Sequence, residues 1–269
     1  MHIEKCIGTG RTADVYEYGK EYIIKLFKSG FRVGSEGKNS KTINSLESIR
    51  SPKLIDIIEI KGNQAIVYEK IIGPTMMEKI LCEPQNQSYY ADMLAHIQYQ
   101  MHKEVSSLKP NLKEEIKKKI RSSSKIRDSV KDYALKKTEI INSSCAICHY
   151  DFHPGNIVLS ENGPVIIDWA NVLIGDERAD VSRTSLMLRA HISQNGIKPY
   201  SIAEFSENND FHSRYLKTYI KNGSIDIEEL SEFEVITASV RLAEDIKEEN
   251  DFLQEIIKNS ICERRGKSE

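Results

Sequence analysis

The chain has 269 residues, 29% of them charged, with a formal net charge of −2 and five cysteines. That length holds a two-lobed enzyme or two small domains around a substantial core, and a charge this close to neutral gives no global attraction to nucleic acid or to an anionic membrane. No apolar run is long enough to span a bilayer, Met1-His2-Ile3-Glu4-Lys5 is not followed by a signal peptide's apolar core, and the cysteine count is odd, so a reduced, cytoplasmic setting is expected.

Residues 3–27 read as strand, glycine turn, strand, turn, strand. Gly8-Thr9-Gly10-Arg11-Thr12-Ala13-Asp14-Val15 has the form G-x-G-x-x-A-x-V. Glycine lets a backbone approach a phosphate without a Cβ clash, although a plain glycine hairpin would show the same letters. Tyr22-Ile23-Ile24-Lys25-Leu26-Phe27 is an apolar strand with one lysine inside it. A lysine in such a strand is paired or functional, or else faces solvent from an edge. Its candidate partner is Glu36, which opens an expected helix over Glu36–Ser48 with Ser35 as N-cap. Glu47 is the alternative and sits at the far, solvent-facing end. Leu54–Ile60 and Gln64–Glu69 then form a hairpin around Lys61-Gly62-Asn63, completing five strands and one helix. Gly73-Pro74 marks a boundary, placing one lobe at 1–70 and the other at 71–269.

Residues 75–142 read as helical. Ala91–Lys103 carries Met93, Leu94, Ile97 and Met101 at helical spacing. His96 and His102 lie six apart, off a common helix face, and read as core or surface histidines rather than metal ligands. Lys113–Lys137 is basic, but interleaved acids and a single aromatic, Tyr133, point to a solvated helix face rather than a nucleic-acid site. Cys145-Ala146-Ile147-Cys148-His149 spells a haem-attachment motif, C-x-x-C-H. The missing export signal and strand-like alternation argue against haem, and no second Cys/His pair supports zinc.

The richest stretch is Cys148–Asp180. His149, Asp151 and Asn156 stand as H-x-D-x-x-x-x-N, and Asp168 follows Val165-Ile166-Ile167. Phosphoryl transfer asks a protein chiefly for positioning and charge neutralisation. One carboxylate must orient the acceptor hydroxyl and take its proton. A second carboxylate and an amide oxygen suit Mg²⁺, which prefers hard oxygen ligands. Ile157-Val158-Leu159, a turn at Glu161–Pro164 and Val165–Ile167 form a hairpin that brings Asp168 back beside the loop of Asp151.

This loop and hairpin, with Asp176 to Asp180 after them, resemble the aminoglycoside phosphotransferase family of small-molecule kinases, in which H-G-D-x-H-P-x-N precedes I-D-W/F. Tyr150 departs from the pattern, standing where the family usually has glycine. The resemblance implies an α+β, bilobal, protein-kinase-like fold with a five-stranded antiparallel sheet plus one helix before a mainly helical lobe. It implies ATP or GTP as nucleotide, Mg²⁺, and a small-molecule hydroxyl acceptor. It makes Asp151 the base, Asn156 and Asp168 the metal ligands, and His149 and Asp180 supports of the catalytic loop. Gly8 and Gly10 would lie at the phosphates, Lys25 would hold them, and Glu36 would orient Lys25. Backbone groups of Glu69 and Ile71 would meet the base. The absence of an A-P-E segment and of a long activation loop argues against a protein kinase. Open alternatives are a metabolite kinase (choline, amino sugar, sugar or homoserine type), a protein kinase, and an inactive nucleotide-binding scaffold. The acidic run between Asp226 and Glu255 reads as a solvated helix face, or as a site for a cationic acceptor such as an aminoglycoside, which would confer antibiotic resistance.

Overall fold

In the computed structural model, which describes residues 3–105, 111–194, 210–223 and 225–265, the chain divides into two compact units. One comprises Met1–Cys82 and Pro154–Asn171, the other Glu83–His153 and Val172–Glu269.

The first unit is built on β1 (Ile3–Thr9), β2 (Ala13–Tyr18), β3 (Tyr22–Phe27), β4 (Leu54–Ile60) and β5 (Asn63–Glu69). They form one antiparallel sheet in the order β1-β2-β3-β5-β4. The β4–β5 turn is the two-residue Lys61-Gly62, both at positive φ (50° and 80°), the conformation whose twist suits a tight hairpin. Ala13, Phe27, Val33 and Ile66 are buried on one face of the sheet, and Ile24, Ala65 and Val67 form a second apolar cluster.

Helix α1 covers Glu36–Ile43, shorter than the expected 36–48. Asn44 ends it. Its amide donates to Ser51 Oγ (2.7 Å) and to the Pro52 carbonyl (2.9 Å), and its Oδ1 accepts the Leu54 N–H (2.8 Å), so the chain is turned toward β4 instead of continuing. Ser35 stands at the N-cap but makes no capping hydrogen bond through its side chain. Helix α2 (Met76–Cys82) follows.

The first unit extends past residue 70 and takes in the hairpin of β7 (Ile157–Ser160) and β8 (Gly163–Ile166). The bonds that hold the hairpin there are explicit. Leu159 N–H donates to the Pro74 carbonyl (2.8 Å) and Ile166 N–H to the Arg50 carbonyl (2.9 Å). A Cβ on Gly73, at φ +152°, would lie 2.2 Å from the Leu159 carbonyl oxygen, so this close approach requires glycine.

The second unit is mainly helical: α3 (Gln87–Lys103), α4 (Leu112–Ser122), α5 (Asp128–Lys137), α6 (Glu177–Gln194), α7 (Phe211–Asn222), α8 (Ile227–Glu232), α9 (Glu234–Ala243) and α10 (Asn250–Arg265). In a two-stranded ladder, β6 (Ala146–Cys148) pairs with β9 (Leu173–Gly175), and β6 precedes the loop that carries Asp151. Its core gathers Leu112, Ile116 and Ile120 of α4, Val235, Ile236 and Val240 of α9, and Phe252, Leu253 and Ile256 of α10. Phe205, expected to open the last helical region, and Gly266–Glu269 of the tail lie outside the described residues. No helix among the described residues is long and apolar enough to cross a membrane.

Candidate active site

Lys25 is the central member of the first unit's polar cluster. Its ammonium lies 2.8 Å from Glu36 Oε1 and 2.9 Å from Asp168 Oδ1. Burial pulls the lysine pKa down, but the Asp168 and Glu36 carboxylates outweigh it and the net shift is upward, so Lys25 stays charged. Burial pushes the Glu36 carboxyl up, against the pull of Lys25. Glu36 Oε1 also accepts the Tyr68 hydroxyl at 3.2 Å.

Asp168 sits just past β8 at φ +61°, a left-handed conformation that is uncommon outside glycine and asparagine. Residues held this way cluster at functional sites because surrounding structure must enforce them. Here a short turn of 3-10 helix, Trp169–Asn171, follows, with Trp169 buried and its indole N–H donating to the Ile166 carbonyl at 3.1 Å. The Asp168 side chain remains 42% exposed while its Oδ1 pairs with Lys25. Asn156 ends a turn before β7, and its carbonyl accepts the Ile167 N–H at 3.0 Å. The open end of the β7–β8 hairpin therefore carries Asn156 and, one residue beyond its bonded partner, Asp168. A carboxylate and an amide are hard oxygen donors, which fits Mg²⁺.

In the glycine turn, Gly10 N–H donates to the Ala13 carbonyl (2.9 Å) and a Cβ at Gly10 would lie 3.0 Å from that oxygen, a tight contact that favours glycine there. Gly8 has only ordinary contact with Val15. Glu69 N–H is already bonded to the Lys53 carbonyl (2.9 Å) and Lys70 N–H to the Glu21 carbonyl (2.8 Å).

Asp151, His149 and Asp180 belong to the second unit. Asp180 is in the first turn of α6 and fully buried. It accepts the N–H groups of Tyr150 (2.7 Å) and His149 (3.2 Å), and it meets His102 Nε2 (2.9 Å) and Gln98 Nε2 (3.2 Å). Burial pushes this carboxyl up, but the His102 contact and its other partners bring it below the usual aspartate range. His149 is buried, its ring edge-on to Phe152. His102, Cys148 and Asp180 are spaced as a metal-ligand group. Asp180 is already engaged by four donors, and burial raises the Cys148 thiol well up, so the trio serves as hydrogen-bonded support for the loop.

Tyr150 has φ +62°, which explains why glycine suits this position. The ring is only 1% exposed and packs inward beneath the Arg183 guanidinium, 4.6 Å from its centroid, so it does not stand over Asp151 from the solvent side. Arg183 Nε donates to the Tyr150 carbonyl at 2.6 Å, while Thr184 Oγ1 donates to the Phe152 carbonyl at 2.9 Å. Side chains of α6 therefore grip the backbone on both sides of Asp151.

Arg183 in turn pairs with Glu244 (2.9 Å), which also meets Lys119 (3.2 Å) and Arg241 (3.3 Å). Arg241 is anchored on Glu249 (2.7 Å) and lies 4.0 Å from Asp151 Oδ1. Sequence reasoning missed Tyr68, Arg183, Arg241 and Glu244. Each is distant in sequence from the group it supports, and no local motif marks the pairing.

These contacts change the reading of the charged runs. Glu232 pairs with Lys137, Glu234 with Arg189 (2.6 Å), and Asp245 with Lys125 (2.9 Å). Lys119–Glu244, Lys125–Asp245 and Lys137–Glu232 tie the basic segment 113–137 to the acidic segment 226–255 inside the unit, while other members such as Glu228 and Asp251 are exposed.

Burial pushes the Glu244 carboxyl up, but Arg183, Lys119 and Arg241 bring it down to about 2. Its folded value is depressed below the ordinary 4.5, so its contribution is fully present above pH 4.5 and disappears as pH falls through about 2. The size is about 3 kcal/mol. Thermal midpoints of wild type and Glu244→Gln between pH 6 and 2 should therefore converge on the acid side. A gap that stays constant over this range would contradict the assignment.

Residues 106–214, less than half of the chain, match the sequence profile described as the phosphotransferase enzyme family, APH. No curated protein matches the chain in sequence. Among solved structures, a thermostable mutant of aminoglycoside phosphotransferase APH(4)-Ia in its apo form is similar with a TM-score of 0.64 and 12% identity, covering 97% of this chain and 94% of that one. Another such mutant, in a ternary complex with AMP-PNP and hygromycin B, gives 0.61 and 12%, over 96% and 92%. The streptomycin–ATP–APH(2″)-IIa ternary complex gives 0.57 and 14%, over 96% and 91%. At such identities the structural likeness shows the fold, which is the α+β, kinase-like one. The family match adds the chemistry, a phosphotransferase acting on hydroxyl groups.

Proposed function

We propose that this phosphotransferase is an ATP-dependent small-molecule kinase, moving the γ-phosphoryl group to an acceptor hydroxyl. The observation that carries the proposal is Lys25 between two carboxylates, Glu36 at 2.8 Å and Asp168 at 2.9 Å. A charged lysine held this way is poised for phosphate oxygens, and Asp168 beside it is a hard donor for the accompanying metal.

In this reading Lys25 holds the nucleotide phosphates and Glu36 fixes its direction. The turn at Gly8 and Gly10 lies along the phosphates. Backbone groups of Glu69 and Ile71 meet the base. Asn156 and Asp168 hold Mg²⁺, which when bound neutralises charge on the phosphate oxygens. Asp151 accepts the proton of the acceptor hydroxyl as its oxygen bonds to the γ-phosphorus, and the bond from that phosphorus to the bridging oxygen breaks to release ADP. His149 and Asp180 keep the Asp151 loop in place.

The acceptor admits two readings. The family resemblance suggests an aminoglycoside, and two of the similar solved structures are complexes with hygromycin B and with streptomycin. A metabolite acceptor is favoured by a specific observation: Glu232, Glu234, Glu244 and Glu249 are already paired with lysine or arginine, and Arg241 lies 4.0 Å from Asp151. A polycation gains little from carboxylates engaged elsewhere. The test is Mg²⁺-dependent ADP release with aminoglycosides, choline, sugars and amino alcohols supplied separately. One acceptor raising turnover well above the rate with water supports the kinase reading and identifies the class. Aminoglycoside turnover with a low KM would overturn the metabolite reading.

A further inference from the structure

The Tyr68 hydroxyl is part of a chain of polar contacts that the proposed mechanism leaves without a role. Tyr68 lies on β5, opposite Ile23 of β3 and Leu54 of β4. Its ring packs on the cluster of Ala13, Phe27, Val33 and Ile66, which leaves the phenol little freedom. The hydroxyl donates to Glu36 Oε1 at 3.2 Å and lies 2.8 Å from Ser40 Oγ. A phenol has one proton. With that proton directed at Glu36, the Ser40 hydroxyl is the donor in the second contact. Glu36 and Ser40 are four residues apart on α1, so they share the helix face that turns toward β5. Glu36 Oε1 receives the Lys25 ammonium and the Tyr68 hydroxyl together.

We propose that Tyr68 is a positioning residue for phosphate binding: it holds Glu36 in the orientation that aims Lys25. The proposal rests on the nucleotide reading given above. Tyr68 immediately precedes Glu69, so one strand would carry both the stretch that meets the base and the side chain that sets the phosphate lysine. The two functions are separable. A hydroxyl acting through Glu36 and Lys25 influences only the triphosphate end of a nucleotide. A ring that contacted the base directly would influence the nucleoside as well. Burial raises the Tyr68 pKa, which keeps the proton available to Glu36 throughout the working pH range.

The experiment measures affinity for AMP-PNP with Mg²⁺, and for adenosine by competition, in the full chain. Wild type, Tyr68→Phe, Lys25→Met and the double variant are compared, with thermal melting to establish folding. Losing one hydrogen bond to a charged group should weaken AMP-PNP about tenfold in Tyr68→Phe and leave adenosine unchanged. In the Lys25→Met background the effect of Tyr68→Phe should vanish, because the group it acts through is gone. Equal weakening of both ligands, no change for AMP-PNP, or the same loss with and without Lys25 would overturn the proposal. If Tyr68→Phe does not fold, Ser40→Ala tests the same chain, with a smaller weakening of AMP-PNP expected and no change overturning it. A wild type that binds no AMP-PNP would overturn the nucleotide reading and the proposal with it. Normal wild-type binding that is insensitive to Tyr68→Phe overturns only the positioning role.

Discussion

Asp151→Asn should lower turnover by about 10²–10⁴-fold while nucleotide affinity stays within about twofold of wild type, the expected size for loss of a positioned general base. Asparagine keeps the volume and some hydrogen bonding of the side chain but cannot take a hydroxyl proton. The surrounding loop should survive the change. Its backbone is held from outside, by Asp180 on the His149 and Tyr150 N–H groups, by Arg183 on the Tyr150 carbonyl and by Thr184 on the Phe152 carbonyl. None of those bonds uses the Asp151 carboxylate. Steady-state ADP release and AMP-PNP titration check both halves of the statement. Unchanged turnover would remove Asp151 from the mechanism.

Asp168→Asn should be more severe, lowering Mg²⁺-supported turnover by about 10³-fold, since loss of a metal site forfeits several kcal/mol of charge stabilisation. Asparagine is the informative substitution because it tolerates the φ of +61° that Asp168 adopts. Alanine would mix backbone strain with the lost charge. Nucleotide affinity in the presence of Mg²⁺ should fall to the value measured without it. Lys25 would retain Glu36 at 2.8 Å, so a residual, metal-independent affinity is expected. Full retention of the Mg²⁺ effect in this variant would show that Asp168 is not a ligand.

What the sequence displayed and what it concealed follow from how local each feature is. Alternating runs and short glycine turns made the five strands readable, since both signals operate within a few residues. The expected helix from Glu36 ran five residues too far because the bonds that stop it join Asn44 to Ser51, Pro52 and Leu54, which no helical periodicity reveals. Lys25 was conspicuous as a charge in an apolar strand. Tyr68, also on a strand, was not, because a half-buried tyrosine is what any sheet contains. The Arg183–Glu244–Arg241 cluster joins α6 to the end of α9 and leaves no motif. Without it, the acidic run looked like a solvated face or a cationic site, whereas Glu232, Glu244 and Asp245 pair with lysines of the basic segment. The hairpin 157–166 was legible as a hairpin, but its grouping with Met1–Cys82 depends on backbone bonds to Pro74 and Arg50.

The most direct test of the central claim follows the γ-phosphoryl group itself. ATP labelled in the γ-phosphoryl group is incubated with Mg²⁺, the protein and an acceptor that stimulates ADP release, and the label is located by ³¹P NMR. The account predicts a phosphate monoester on a hydroxyl of the acceptor, formed in equal amount with ADP and lost in Asp151→Asn. Label found only in inorganic phosphate, at the same rate in wild type and variant, would contradict it.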